Sequence, residues 1–131
     1  MNNEIIENVI KILEPFKNKC EFDSSVSENL IEVHGRGNAT GGFILLRASI
    51  LTDCKQIHIQ NIFIPDFMKH KGIGKIIIRL IFEIASKYGY ETFVVDMVQS
   101  FYNKLIKRNG YPSDEESVQI TNDTDLHSYY I

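Results

Sequence analysis

The first thirteen residues carry apolar side chains at helical spacing. Ile5, Ile6, Val9, Ile10, Ile12 and Leu13 alternate with Glu4, Glu7 and Lys11, which predicts an amphipathic first helix. Pro15 ends that helix or lies just beyond it, because a proline ring blocks the helical ladder. Between Phe16 and Asn29 no period holds, and its serines and an Asp predict a loop. Three strand-like runs follow: Leu30 to His34, Gly42 to Leu51, and Gln56 to Ile64. The segment from Gly35 to Gly41 is rich in turn formers and reads as a hairpin loop between the first two. Thr52-Asp53 precedes the third run and Pro65 follows it.

A long helix is predicted from about Gly74 to Tyr88, burying Ile77, Leu80, Ile81, Ile84 and Ala85, with Gly89 as its left-handed cap. Thr92 to Val98 is a β-branched run and predicts a buried strand. Ser100 suits the N-cap of a further helix, Phe101 to Arg108, which Asn109-Gly110 ends. Pro112 to Ser117 reads as loop and Ser117 to Thr121 as a short last strand. The order predicts a mixed α/β domain, residues 1–131.

A chain of 131 residues suits one domain and leaves no room for a second. Its formal net charge is −3, so no global electrostatic footprint points to nucleic acid or a membrane, and any anion site is local. The N-terminal segment has acidic residues and no basic leader, and no apolar run reaches membrane-spanning length. Cys20 and Cys54 form no CxxC pattern, which argues against a disulfide framework or a zinc site. A cytoplasmic protein without a metal is the expectation.

The segment with most chemical content is Pro65-Asp66-Phe67-Met68-Lys69-His70-Lys71-Gly72-Ile73-Gly74-Lys75, which joins a strand to a strongly apolar helix. Its glycines allow close backbone approach, and a helix start offers free N–H groups to an anion. Three lysines and a histidine crowd an end where the macrodipole is already positive, an unfavourable arrangement unless an anion neutralises it. The plain alternative is a tight turn with solvated lysines. Lys75 is followed by Ile76, which excludes a Walker A loop, and Ile77 stands where a dinucleotide fingerprint needs its third glycine.

Lys69-His70-Lys71-Gly72-Ile73-Gly74, followed at the expected distance by a strand and then Phe101-Tyr102-Asn103-Lys104 up to Asn109-Gly110-Tyr111, resembles the GNAT superfamily of acyl-CoA N-acyltransferases. The resemblance covers roughly Gly42 to Thr121. It implies a mostly antiparallel mixed sheet flanked by helices, with splayed fourth and fifth strands that admit the pantetheine arm of acetyl-CoA. It further implies that backbone groups of Ile62, Phe63 and Ile64 pair with that arm. By the same resemblance, Lys69, His70, Lys71, Gly72, Ile73, Gly74 and Lys75 hold the pyrophosphate, and Tyr102 protonates the leaving thiolate.

Acyl transfer needs a neutral amine and a protonated thiolate. The tyrosine type keeps its proton at neutral pH and can serve as the acid; otherwise Tyr102 packs with Ile106 as a helix-face pair. Many GNAT members carry Glu on the fourth strand, where this chain has His58 and Gln60. His58 has the titration range of a general base; the alternative is a solvent-facing histidine, with water removing the proton. Asp96 either orients an amine or ends a strand. The expected activity is acetyl transfer to a primary amine, of a small molecule or a protein, with a homodimer left open. The rival readings are a catalytically silent GNAT-like module that binds acyl-CoA or a partner, and an unrelated α/β interaction domain.

Overall fold

The computed structural model describes residues 1–37, 41–97, 99–114 and 116–127. Helix α1 (Asn2–Leu13) buries the stripe Ile5, Ile6, Val9 and Leu13, and places Glu4 in its first turn and Lys11 in its last, as the helix dipole favours. Pro15 sits in the 3-10 turn that follows, Glu14–Phe16. Strands β1 (Glu21–Ser27), β2 (Leu30–Gly37), β3 (Gly41–Leu51) and β4 (Gln56–Ile62) come next. Then follow a 3-10 turn (Asp66–Met68), α2 (Ile73–Lys87), β5 (Glu91–Val94), α3 (Gln99–Lys107), β6 (Tyr111–Asp114) and β7 (Ser117–Ile120).

These strands form one seven-stranded sheet in the order β1-β2-β3-β4-β5-β7-β6. Every neighbouring pair is antiparallel except β4 and β5, which are parallel. The result is a mixed α/β fold with a mostly antiparallel sheet flanked by three helices. One hydrophobic cluster joins the sheet to α1, α2 and α3. Helix α2 supplies Ile73, Ile77, Ile78, Ile81, Ile84 and Ala85, a stripe at the spacing its sequence period requires. Among the described residues, no helix is long and apolar enough to cross a membrane.

Both later helices end in the same way. Gly89 takes φ 80°, with Tyr90 N–H donating to Ala85 O at 2.9 Å and Gly89 N–H to Ser86 O at 3.1 Å. Asn109 takes φ 65°, with Gly110 N–H donating to Leu105 O at 2.8 Å and Asn109 N–H to Ile106 O at 3.0 Å. These are Schellman caps, in which a left-handed residue turns two N–H groups back onto the last carbonyls.

Several expectations need correction. β1 occupies the stretch expected to be a loop, and β6 occupies Pro112 and its neighbours. β1 is an edge strand whose side chains are almost all exposed, so it carries no alternating pattern; its backbone bonds to β2 define it. β6 pairs through Pro112 at the other edge, the position where a sheet tolerates proline. β5 stops at Val94, because Asp96 takes φ 55°, and Val98 lies outside the described residues. β2 and β3 run on to Gly37 and from Gly41, and residues 38–40 of the expected hairpin loop are also outside. Helix α3 already includes Gln99, so Ser100 is its second residue and not its N-cap.

Candidate functional site

The opening in the sheet follows from a single extra residue. β3 pairs Ala48 with Ile59 and Arg47 with Asn61, so Gln60 is a β-bulge. Such an insertion bends its strand and increases the local twist. On the other side, β4 pairs with β5 from Gln56↔Glu91 to Ile59↔Val94. Val95 N–H still donates to Ile59 O at 3.0 Å, and among the described residues no later pairing of β4 with β5 follows. β4 instead stays with β3, where Phe63 N–H donates to Leu45 O at 2.9 Å. Successive residues of an extended strand alternate the side to which their N–H and C=O groups point. The backbones of Ile62 and Ile64 therefore face the opening, whereas the Phe63 amide is spent on β3.

The glycine loop borders this opening. Ile62 Cγ2 and Ile64 Cγ1 lie 3.7 and 3.8 Å from where a Cβ on Gly74 would stand. His70 and Gly72 take φ 64° and 72°, so the chain turns twice through the left-handed region before α2 begins. Only Gly72 needs glycine for its dihedral; Gly74 is helical. The buried side chain of Met68 anchors the loop. Gly72 is the N-cap of α2 and has no side chain to bond the first amides, and no acidic residue stands in the first turn. Lys69 Nζ pairs with Asp66 at 3.1 Å, and Lys71 is exposed.

Burial pushes the Lys75 ammonium below its ordinary range, and the neighbouring cations Arg108 and Arg79 push it the same way, with Asp125 opposing. The positive field at this helix start thus extends to residues beyond the loop. Arg79 and Arg108 also hold the segment after β7, through Leu126 O at 3.5 Å and Asp125 O at 3.1 Å. Sequence reasoning missed both arginines: Arg79 stands four residues after Lys75 on α2 and was legible as its helix neighbour, whereas only the tertiary fold brings Arg108, at the end of α3, beside α2.

His58 lies on the sheet face opposite the buried Ile57 and Ile59. Its Nε2 is 2.8 Å from Gln56 Oε1, and its ring meets Phe93 edge-on at 5.4 Å. Burial lowers its pKa below the ordinary 6.5, with the Asp96 carboxylate pulling upward. A neutral imidazole at neutral pH is the form that accepts a proton. Gln56 was legible as a partner, two residues away on the same strand face; Phe93 required the β4–β5 register. Tyr102 is the fourth residue of α3 and, with Ile106, packs half-buried against the core. Among the described residues no hydrogen bond links Tyr102 to His58 or to the loop. The structure thus groups Ile62, Ile64, Gly72 and Gly74 at the opening and His58 with Asp96 beside it, and sets Tyr102 on a separate element. Among the described residues no three His, Cys, Asp or Glu side chains cluster as metal ligands.

No family model matches this chain, and no curated protein matches it. Among solved structures, the crystal structure of nourseothricin acetyltransferase is similar over 77% of this chain and 81% of that chain, with 11% identity and a TM-score of 0.41. At that identity and score the likeness assigns no activity to this chain.

Proposed function

We propose that residues 1–131 form one GNAT-type domain that transfers an acetyl group from acetyl-CoA to a primary amine. The observation that carries this reading is the opening between β4 and β5 beside an uncapped, lysine-rich helix start. The backbones of Ile62 and Ile64 pair with the amide-bearing pantetheine arm in the gap. The amides of the first turn of α2, with Lys71 and Lys75, receive the pyrophosphate. Phe63 contributes through its side chain, since its N–H is already bonded within the sheet.

In this reaction the amine nitrogen attacks the thioester carbonyl, and His58 accepts the proton it loses. The tetrahedral intermediate collapses with cleavage of the C–S bond, and the Tyr102 hydroxyl gives its proton to the departing thiolate. The products are an N-acetylated amine and free CoA. Calorimetric titration with acetyl-CoA tests the first half, and CoA release across a panel of primary amines tests the second. No binding removes the reading. Binding without amine-dependent release from any acceptor favours a silent acyl-CoA-binding module.

A further inference from the structure

β1 is a free edge of the sheet: among the described residues its only strand partner is β2. It runs for seven residues, Glu21 to Ser27, and pairs with β2 without a register shift. Sheet edges are ordinarily guarded against pairing with another chain by lysine, proline, a bulge or short length. The opposite edge, β6, is guarded in this way: it has four residues, includes Pro112 and shifts register against β7. β1 has none of these devices, and its two charges, Glu21 and Asp23, both stand in its first half.

One bond fixes which backbone groups point outward. Ile50 N–H of β3 donates to Asn29 O at 2.8 Å, so Asn29, Ile31, Val33 and Gly35 turn their polar groups toward β3. Leu30, Glu32, His34 and Arg36 then turn theirs toward β1. The β1 residues opposite these four are Ser27, Ser25, Asp23 and Glu21, and their N–H and C=O groups are bonded within the sheet. Phe22, Ser24 and Val26 alternate with them and direct N–H and C=O out from the edge. The same three side chains stand on the core-side face, across from the buried Gly35, Val33 and Ile31. Ser24 and Val26 are nonetheless exposed, Val26 to 43%, so α1 leaves this side of the edge open.

We propose that β1 pairs with β1 of a second copy of this chain, antiparallel about a two-fold axis at Ser24, and joins the two sheets into one. In this register Ser24 faces Ser24 of the partner subunit, and Phe22 faces Val26 of the partner subunit. Each such pair brings outward-facing backbone groups together and exchanges both N–H···O bonds. An aromatic residue opposite a β-branched one is a favourable cross-strand pair, and it covers the exposed Val26. Asp23 faces the partner's Ser25 and Glu21 faces the partner's Ser27, so no like charges stand directly opposite. The two Asp23 residues meet only on the diagonal, roughly 7–8 Å apart, where salt screens exposed charges. An axis at Asp23 would set the two carboxylates face to face. An axis at Ser25 would leave Phe22 beyond the end of the partner strand. The pairing uses both β1 edges and therefore closes at two copies. β2 and β3 separate β1 from β4, so each copy keeps its β4–β5 opening, and the pairing does not depend on acyl transfer.

The test is sedimentation velocity of the full chain from roughly 10 µM to 1 mM, because a strand-edge contact is a small interface and a Kd of about 100 µM is expected. The wild type is expected to pass from monomer to dimer over this range, with nothing larger. Ser24→Pro removes an N–H that points away from β2, a position where an edge strand accepts proline. It is expected to weaken self-association at least about tenfold while the melting temperature of the dilute protein is unchanged. Val26→Lys, which sets a charge against the partner's Phe22, is expected to weaken it to a similar degree without touching the backbone. Ser25→Pro removes a donor bonded to β2 and is expected to lower the melting temperature instead. A chain that stays monomeric throughout, or a dimer that survives both Ser24→Pro and Val26→Lys, overturns the proposal. Species larger than a dimer remove the two-fold register. A Ser25→Pro variant more stable than Ser24→Pro reverses the parity of the edge and overturns the proposal as well.

Discussion

Thr92→Val should make this protein more stable. Thr92 is 0% exposed, and its hydroxyl has no hydrogen-bond partner among the described residues. It sits on β5 in register with Ile57 of β4 and Ile120 of β7, both buried. A hydroxyl removed from water without a replacement partner costs about 1–3 kcal/mol. Valine has nearly the same shape and the same preference for extended backbone, and puts a methyl where the hydroxyl was. Allowing for partial relaxation, a gain of about 1–2 kcal/mol is expected. Unfolding entropy of roughly 2.1 cal/mol/K per residue gives about 0.28 kcal/mol/K for 131 residues. The melting temperature should therefore rise by about 4–7 °C, measured by calorimetry or by circular dichroism at one scan rate. Thr92→Ser keeps the hydroxyl and removes the methyl, so it should lower the melting temperature. A valine variant that melts at or below the wild type refutes the reasoning, because the hydroxyl must then be engaged in the folded state.

At the loop, Gly72→Ala should lose about 1–2 kcal/mol of stability, since φ 72° disfavours a Cβ, and should weaken acetyl-CoA binding in the same calorimetric assay. Gly74→Ala should be tolerated, its Cβ meeting Ile62 and Ile64 at ordinary contact distance, whereas Gly74→Val should weaken acetyl-CoA binding without unfolding the chain; wild-type affinity in the valine variant would falsify the loop assignment. Tyr102→Phe keeps the ring and its packing, so turnover should fall about 10²-fold with little change in acetyl-CoA affinity; a loss of stability with no specific loss of rate would make the hydroxyl structural. For His58, the rate profile should show an acid limb centred below the ordinary 6.5, absent in His58→Gln. The unfolded chain takes up this proton near 6.5 and the folded chain only at lower pH. Stability is therefore full above that window and falls on acidification through it. Urea midpoints of both proteins between pH 5 and 8 would show whether the slope disappears with the imidazole.

Much of the framework was legible in the chain itself. The apolar stripes of α1 and α2 recur at helical spacing because one face of each must leave water, so no tertiary knowledge is needed to find them. Gly89 and Asn109 marked helix ends because the left-handed cap favours those residue types. Gly72 marked the loop for the same reason. The lysines around it stood out against the helix dipole. Other features depended on partners distant in sequence. β1 exposes nearly all its side chains, so only backbone pairing with β2 distinguishes it from a loop. Gln60 looks like any strand residue until the β3 register shows it to be a bulge, and that bulge decides where β4 leaves β5. The bond from Phe63 N–H to Leu45 O reassigns which backbone groups face the opening, a matter of strand parity that follows the bulge. The Phe43 ring covers Gly35, eight positions away in sequence, only because β2 and β3 bring the two residues opposite each other. Local periodicity reports which side of a segment is apolar, since that depends on the segment alone. Register, bulges and cavities depend on how two segments meet, and only the folded chain decides that.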